Sequence, residues 1–237
     1  MNKEKSVASA DPAAANSKRK GRGKPAKTTR DSILQAAEKV FSRDGFAGAR
    51  IEQISKAAKC YDSLIYYYFG SKEKLFAQVL ENAYRKMIEA EQQLQLDLED
   101  PVAALKVISQ FPWRYYLANP ELIILLGTEN LHKAKHLTKS GGASQFFSPA
   151  IAVLDGVIRS GVKKGLFRAD IDTVEIYMAI MALGYFYVSN RYTLSAFLGR
   201  NLMDAGEISN WGEFITATVL DTVLVPEAPR RSKLQAG

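Results

Sequence analysis

The chain has 237 residues, enough for one large or two modest domains, and 47% of them are hydrophobic, as in globular proteins. No apolar run approaches the roughly eighteen residues that span a bilayer, and the N-terminus lacks the apolar core of a signal peptide. We therefore expect a cytoplasmic protein without a membrane partner. The single cysteine, Cys60, excludes an internal disulfide. We expect it to pack as a small hydrophobic residue, with a redox-sensing thiol as the alternative.

Positive charge is concentrated at the N-terminus. Residues 1–30 contain nine Lys or Arg against two acidic residues, so they carry the whole net charge of +7. Because this segment is also rich in Ala, Ser, Gly and Pro, we expect residues 1–28 to form a disordered basic arm. Such an arm can neutralise phosphates beside a docked DNA-binding domain. A solvated tail or a patch for anionic membranes would have the same composition.

The first predicted helix runs from about Thr29 to Arg43. A threonine near its start and Gly45 just after its end are typical of a helix cap and a helix stop. Its apolar residues recur at intervals of three and four, which predicts a face that packs against the following helices. These residues are Ile33, Leu34, Ala37, Val40 and Phe41. Phe46 is expected in the same core.

Two short helices are predicted between Arg50 and Phe76, separated by a break of a few residues. The apolar positions of the first are Ile51, Ile54, Ala57 and Ala58, and those of the second are Ile65, Tyr68 and Phe69. This pattern is typical of a helix-turn-helix, whose second helix enters the DNA major groove. It is equally typical of an αα-corner inside a helical protein, and spacing alone does not decide between them.

The residues around this pair carry a more specific pattern. Ile65 to Glu73 reads Ile-Tyr-Tyr-Tyr-Phe-Gly-Ser-Lys-Glu, and an upstream helix from Ile33 to Phe41 precedes Asp44-Gly45-Phe46. Over about fifty residues the chain resembles the DNA-binding domain of the TetR/AcrR family of bacterial transcriptional regulators. The resemblance implies an all-α fold, in which a three-helix helix-turn-helix domain precedes a larger helical ligand-binding and dimerisation domain.

The tip of the predicted recognition helix departs from the family pattern. Lys59 occupies a position where relatives usually have Gly, so a positive φ there would cost about 1 kcal/mol. Asp62 places a negative charge where a lysine that faces phosphate is usual. It can serve as an N-cap or first-turn residue and can accept a hydrogen bond from a cytosine amino group. Ala49 replaces a capping threonine, and Arg50 is expected to supply the phosphate contact instead.

The remaining roles at this site follow from side-chain chemistry. We expect Ser63 and Leu64 to contact base edges, the leucine against a thymine methyl group. Tyrosine hydroxyls suit phosphate, whereas Tyr68 is expected to turn inward. Lys72 lies in the first turn of the next helix, where free backbone N–H groups can hold a phosphate. The predicted DNA-binding residues are Arg50, Lys59, Tyr61, Asp62, Ser63, Leu64, Tyr66, Tyr67 and Lys72.

Helix signals also divide the rest of the chain. A capping residue before a proline predicts three helix starts, which are Asp100-Pro101, Asn119-Pro120 and Ser148-Pro149. Residues 139–144 are expected to form a connection, and residues from about Thr173 to Asn190 a helix. Asn210 and Glu213 have capping-box spacing and predict a last helix that ends near Val225.

The resemblance implies a homodimer, because in the family the last two long helices of each subunit form a four-helix interface. The predicted helix after Thr173 is apolar on more than one side, as a helix shared between a core and a partner should be. The residues concerned are Tyr177, Met178, Met181, Ala182, Tyr185 and Phe186. A central helix of a monomer is the alternative interpretation.

A ligand pocket in this half would be lined mainly by apolar and aromatic groups. The candidates are Phe111, Trp113, Tyr116, Leu126, Phe147 and Tyr177, each of which is also explained by core packing. His132 and His136 have the spacing of one helix face, which can chelate a metal. Because no carboxylate or thiol is evident beside them, we predict polar surface or pocket groups and no metal.

The sequence contains no recognisable motif of catalytic residues, so we expect neither an enzyme nor a cofactor. The resemblance implies a transcriptional regulator, expected to be a repressor, whose homodimer binds a palindromic DNA operator and is released by a small-molecule effector. The alternative is a helical ligand-binding or scaffold dimer that binds nucleic acid or anionic surfaces non-specifically. The feature that favours this alternative is Asp62, because it places a negative charge on the predicted recognition helix. The expected domain boundaries follow from these assignments. Residues 1–28 are expected to form the disordered basic arm, 29–75 the helix-turn-helix DNA-binding domain, 76–225 the helical ligand-binding and dimerisation domain, and 226–237 a C-terminal tail.

Overall fold

The computed structural model describes residues 29–140 and 143–226, without the side chains of residues 139–148. Within these ranges the only β feature is an isolated antiparallel bridge between Phe167 and Leu224. The all-α prediction is confirmed. The helices are α1 (Thr29–Gly48), α2 (Ile51–Ala58), α3 (Asp62–Phe69), α4 (Lys72–Glu91), α5 (Pro101–Ala118), α6 (Pro120–Leu131), α7 (Lys135–Ser140), α8 (Ala143–Lys163), α9 (Thr173–Leu198) and α10 (Ala205–Val223).

Three predicted features fall outside this description. The basic arm of residues 1–28, the tail after residue 226 and the side chain of Phe147 are not covered. Among the helices of the described ranges, none has the length and apolar character needed to cross a lipid bilayer.

Helix α1 forms one wall of a three-helix core with α2 and α3. Its predicted apolar face is buried as expected. Gly45, with φ 68°, interrupts the helix where the sequence predicts a stop. The chain then turns so that the Phe46 ring lies 5.1 Å from the Phe76 ring on α4. This aromatic contact joins the end of α1 to the start of α4.

Helix α2 is not capped by position 49, where relatives have a capping threonine and this chain has Ala49. The N-cap is Arg50, whose backbone N–H donates to the Gln53 side-chain oxygen at 2.8 Å. Ala49 is buried in the core instead. The Gln53 side chain thus accepts a hydrogen bond from one backbone N–H group at this end of α2. Because position 49 is not the N-cap, a small apolar residue there removes no capping interaction.

Lys59 adopts the left-handed conformation that relatives usually assign to glycine, with φ 55° and ψ 45°. Its N–H and that of Cys60 donate back to Lys56 and Ser55, which closes the end of α2. Burial, with a smaller effect of the Asp62 charge, raises the pKa of the Cys60 thiol. A thiol that stays protonated suits the predicted packing role better than a reactive thiolate.

Replacing Lys59 with glycine is expected to raise the free energy of unfolding by about 0.5 kcal/mol. Relief of the left-handed strain, about 1 kcal/mol, exceeds the extra entropy that glycine gives the unfolded chain. Thermal unfolding of the variant should show a midpoint higher by about 1–2 °C. Lys59→Ala is the control, because it removes the same charge and keeps the strain. Equal midpoints for the two variants would contradict the strain argument.

Helix α4 connects the two halves of the chain. Ser71 caps it as predicted, since its hydroxyl accepts from the Lys74 N–H at 3.2 Å. The division that we expect after residue 75 falls within this helix, so the two halves share a continuous element. With 20 residues, α4 is about 30 Å long.

The helix starts predicted in the second half are partly wrong. Helices α5 and α6 begin at Pro101 and Pro120 as expected, but α8 begins at Ala143 and contains Pro149 inside it. Helix α10 begins after Asp204, so the Asn210 and Glu213 pair lies inside the helix rather than at its cap. Helix α9 is longer than predicted. Its left-handed Gly199 ends it eight residues later than the expected Asn190.

Candidate DNA interface

The outward face of α3 is formed by Ser63, Tyr66 and Tyr67. They are spaced by three and four residues, which places them on one side of a helix, and all three are exposed. Tyr67 is 79% exposed and Tyr61, at the N-cap, is 81% exposed. A contiguous exposed patch of large aromatic side chains is typical of an interaction site. The face therefore offers hydroxyl groups and ring surface to a macromolecule.

The opposite face of α3 explains how that outward face is held. Ile65 and Phe69 are buried against α1 and α4. Leu64, predicted to contact a base, is half-buried and packs partly against the same core. Tyr68, predicted to turn inward, is exposed enough to lie beside Tyr67, with ring centroids 5.1 Å apart. The expectation for Tyr68 is wrong, because Ile65 and Phe69 already fill the space below the helix.

Charged groups flank this face. Arg50 and Lys59 are exposed at the two ends of α2. Asp62 is the first residue of α3, where the helix dipole favours a negative charge, and Tyr61 rather than Asp62 is the N-cap. Lys72 lies in the first turn of α4 with its ammonium 4.8 Å from the Phe46 ring centroid. The cation–π contact holds that ammonium against the Phe46 ring.

The α6–α7 corner contacts the DNA-binding half at Phe46. The Phe46 ring lies 4.8 Å from the His136 ring and 5.4 Å from the His132 ring. His136 also meets Phe76 of α4 at 5.0 Å. This group, which we call the Phe46 junction, links α1, α4, α6 and α7.

The Phe46 junction is supported by a buried carboxylate that the sequence analysis did not single out. Glu129 is 3% exposed, and its Oε1 accepts from the N–H groups of His136 and Leu137 at 2.7 and 3.0 Å. Its Oε2 lies 2.6 Å from His136 Nδ1. Glu129 follows Leu122 and Leu125 at the spacing of the buried face of α6. A charged residue at such an apolar position was the available signal.

The two histidines do not share a helix face as the sequence suggested. His132 ends α6, and a turn with positive φ at Lys133 and Ala134 separates it from His136 in α7. His132 Nδ1 lies 2.8 Å from the Thr128 carbonyl oxygen, and His136 Nδ1 faces Glu129. The rings pack against Phe46, so both histidines serve the Phe46 junction.

The predicted ligand residues fall into different surroundings. Trp113 and Tyr116 are buried, and Trp113 packs edge-on against Tyr187 at 5.1 Å. Phe111 faces the other side of α5, where it packs on Tyr115 and lines a surface groove. Leu126 is half-buried against the core. Phe111 and Trp113 therefore do not line one common cavity.

Tyr116 and Tyr177 belong to a polar cluster in the second half. With Tyr84, Tyr185 and Glu91 they interact electrostatically across α4, α5 and α9. Burial raises the pKa of Tyr84 and of Tyr177 to about 12. Burial also raises the pKa of Glu91. These groups place several hydroxyls and one carboxyl group within the helical second half.

Comparison with known proteins matches both halves of this arrangement. Residues 33–79 match the model of bacterial regulatory proteins of the tetR family, and residues 101–219 match the model of the tetracyclin repressor-like C-terminal domain. The chain belongs to the TetR family. The family assignment extends from α1 through α10, so it includes both the α2–α3 pair and the helical second half.

Among the relatives of this TetR-family chain is the HTH-type transcriptional repressor NicS of Pseudomonas putida. The two are 49% identical over 84% of this chain and 94% of that protein. The HTH-type transcriptional repressor SCO4008 of Streptomyces coelicolor is 29% identical over 65% of this chain and 76% of its own length. The crystal structure of SCO4942 from Streptomyces coelicolor covers 84% of this chain and 100% of its own, with 26% identity and a TM-score of 0.61.

These findings confirm the predicted class of function. The TetR-family chain is a DNA-binding transcriptional regulator and not an enzyme. The α2–α3 pair is therefore its helix-turn-helix rather than an αα-corner, and α3 is its recognition helix.

Proposed function

We propose that this TetR-family regulator is a repressor that binds a palindromic operator as a homodimer and is released by a small-molecule effector. The observation that carries the proposal is the outward face of α3, a tyrosine-rich surface held on a rigid helical core. The 49% identity to a transcriptional repressor along almost its whole length supports the direction of regulation.

In the proposed operator complex, side chains of α3 determine the sequence specificity. The residues around α3 determine how the domain is oriented on the DNA. Ser63 and Leu64 lie at the N-terminal end of the recognition helix, where side chains of helix-turn-helix proteins reach base edges. Arg50, Lys59 and Lys72 surround it with positive charge that suits phosphates. Tyr61, Tyr66 and Tyr67 add hydroxyl donors to the same surface.

An exposed apolar stripe on α9 supports the homodimer. Val174, Met178, Ala182 and Phe186 recur every four residues and are exposed, with Met178 63% and Phe186 56% accessible. Phe214 of α10 is exposed too, and it stacks on Trp211 at 4.9 Å. A self-complementary patch of this kind fits a two-fold symmetric interface. Such a dimer would present two recognition helices to half-sites about 34 Å apart.

The proposed route from effector to DNA passes through α4 and the Phe46 junction. Helix α4 begins beside the recognition helix and ends in the second half of the chain. The α6–α7 corner holds Phe46 at the same place. An effector that prefers one of two arrangements of these helices by about a hundredfold would shift the equilibrium by about 2.7 kcal/mol.

Selection of duplexes from a random pool tests the proposed function. The purified chain should enrich one palindromic sequence, and gel-shift titration should give tighter binding to it than to a scrambled duplex. Equal, salt-sensitive binding to all duplexes would instead support a scaffold with non-specific affinity. Placement of the selected site upstream of a reporter should lower expression, and increased expression would contradict repression.

Lys72→Met is expected to weaken binding to all duplexes alike. The substitution removes a phosphate contact while it keeps most of the side-chain stem that packs on Phe46. The slope of log affinity against log salt should fall by about one unit. The measurement is gel-shift titration of selected and scrambled duplexes over a range of salt. A loss confined to the selected duplex would contradict the phosphate assignment.

Leu64→Ala is expected to relax specificity at one base pair. Loss of the contact with a thymine methyl should reduce discrimination there by about 1–3 kcal/mol. The variant should be compared with the native chain in the same selection. If the enriched palindrome keeps its full information content, Leu64 has only the packing role that its half-buried position also suggests.

A further inference from the structure

We propose that a cavity at the end of α4 is the effector site and that Glu91 selects an effector with a hydrogen-bond-donating or cationic group. The inference rests on the proposed function, because it gives the chemistry of the molecule that releases DNA. The cavity has a volume of about 440 Å³ and lies between the end of α4, the segment after it, α5 and α8. This volume lies within the range of small-molecule sites.

The walls of the cavity are mainly aliphatic. Ile88, Leu94, Leu96, Ile108 and Val153 contribute apolar surface from three helices and the connecting segment. The polar side chains that line the cavity are Glu91, Gln92 and Gln95, and all three come from the end of α4 and the segment after it. An apolar site with a small convergent set of polar groups favours a compact organic molecule whose polar groups are grouped at one end.

Glu91 is in an unfavourable environment for a carboxylate. It is partly buried, and this burial raises its pKa. It is also the last residue of α4, where the helix dipole disfavours negative charge. No Lys, Arg or His in the described ranges forms an ion pair with it. An N–H, O–H or ammonium group of a ligand would supply the missing favourable interaction.

Glu91 connects the cavity both to the tyrosine cluster and, through α4, to the DNA-binding half of the chain. It interacts electrostatically with Tyr116 and Tyr177, so a change at the carboxyl reaches the tyrosine cluster between α4, α5 and α9. The first turn of the same helix carries Lys72 beside the recognition helix. A ligand bound at Glu91 therefore contacts the element whose other end lies at the DNA interface.

Calorimetric titration with matched benzyl compounds tests this assignment. Benzylamine and benzyl alcohol present donors on an apolar ring, whereas benzoate presents an anion of similar size. The full-length protein should bind benzylamine most tightly and benzoate most weakly. Glu91→Gln should weaken benzylamine binding by about tenfold or more, because it removes the charge and keeps the shape. The control is Glu89→Gln on the same helix, an exposed residue that should leave binding unchanged.

Three outcomes would overturn the proposal. These are undetectable binding of benzylamine, preference for benzoate, and equal benzylamine affinity of the native and Glu91→Gln proteins. Circular dichroism should show that both variants keep the native helical content. Operator binding without any added compound is measured separately. Loss of operator selection would count against the proposed function, while the order of benzyl affinities would still decide the chemistry of the cavity.

Discussion

Replacing Phe186 with aspartate is expected to convert the protein to monomers and to weaken operator binding on the order of 100-fold or more. The side chain lies in the exposed stripe of α9, 56% accessible in the single chain. In the proposed two-fold symmetric homodimer, each substitution would enter the interface twice. Burial of unpaired carboxylates in an apolar interface costs several kcal/mol, more than such a contact can offset.

Sedimentation velocity and gel-shift titration together measure this effect. Ile124→Asp is the matched control, because Ile124 is an exposed apolar residue on α6, outside the α9 stripe. It should leave both the molecular mass and the operator affinity near their native values. A Phe186→Asp protein that remains dimeric and binds the operator normally would show that α9 does not form the interface.

Replacing Glu129 with alanine is expected to lower the free energy of unfolding by about 3–5 kcal/mol. The carboxylate accepts from two backbone N–H groups and faces His136 Nδ1, and alanine would leave these buried groups without their partner. For a chain of this size the unfolding midpoint should fall by about 6–20 °C. The loss should also loosen the α6–α7 corner at Phe46.

The conservative variant separates hydrogen bonding from charge. Glu129→Gln keeps an oxygen that can accept from the His136 and Leu137 N–H groups, so its loss should be smaller than that of alanine. Glu121→Ala, an exposed substitution on the same helix, should change stability by no more than about 0.5 kcal/mol. Thermal and denaturant unfolding give these values. Similar midpoints for Glu129→Ala and Glu121→Ala would show that the buried carboxylate contributes little.

The helix-turn-helix was predictable because its structure is specified locally. Apolar spacing along α1 and α3, the serine cap before α4 and the break at Gly45 within α1 each act within a few residues, so the sequence displays them directly. The strain at Lys59 was expected from the resemblance, because relatives usually have glycine at this position, and the residue does adopt the left-handed conformation. Exposure of the α3 tyrosines also followed from the pattern, apart from Tyr68.

In the second half of the chain, two helix starts predicted from local sequence are wrong because packing between helices outweighs the local signal. Pro149 reads as a helix start, yet α8 continues through it. Asn210 and Glu213 have capping-box spacing, but α10 already begins at Ala205 and carries both residues in its interior. In each case the apolar face buried against neighbouring helices outweighs a local signal worth about 1 kcal/mol.

By itself the sequence determined the family, the all-α fold and the recognition helix, because these depend on motifs written in consecutive residues. Only the tertiary structure decided which distant side chains meet. His132 and His136 became part of the Phe46 junction through the turn between α6 and α7, and Glu129 became the buried partner of His136. Glu91 likewise acquired its cavity from α5 and α8. Such groupings arise from the packing of separate helices, which residue spacing along one helix does not encode.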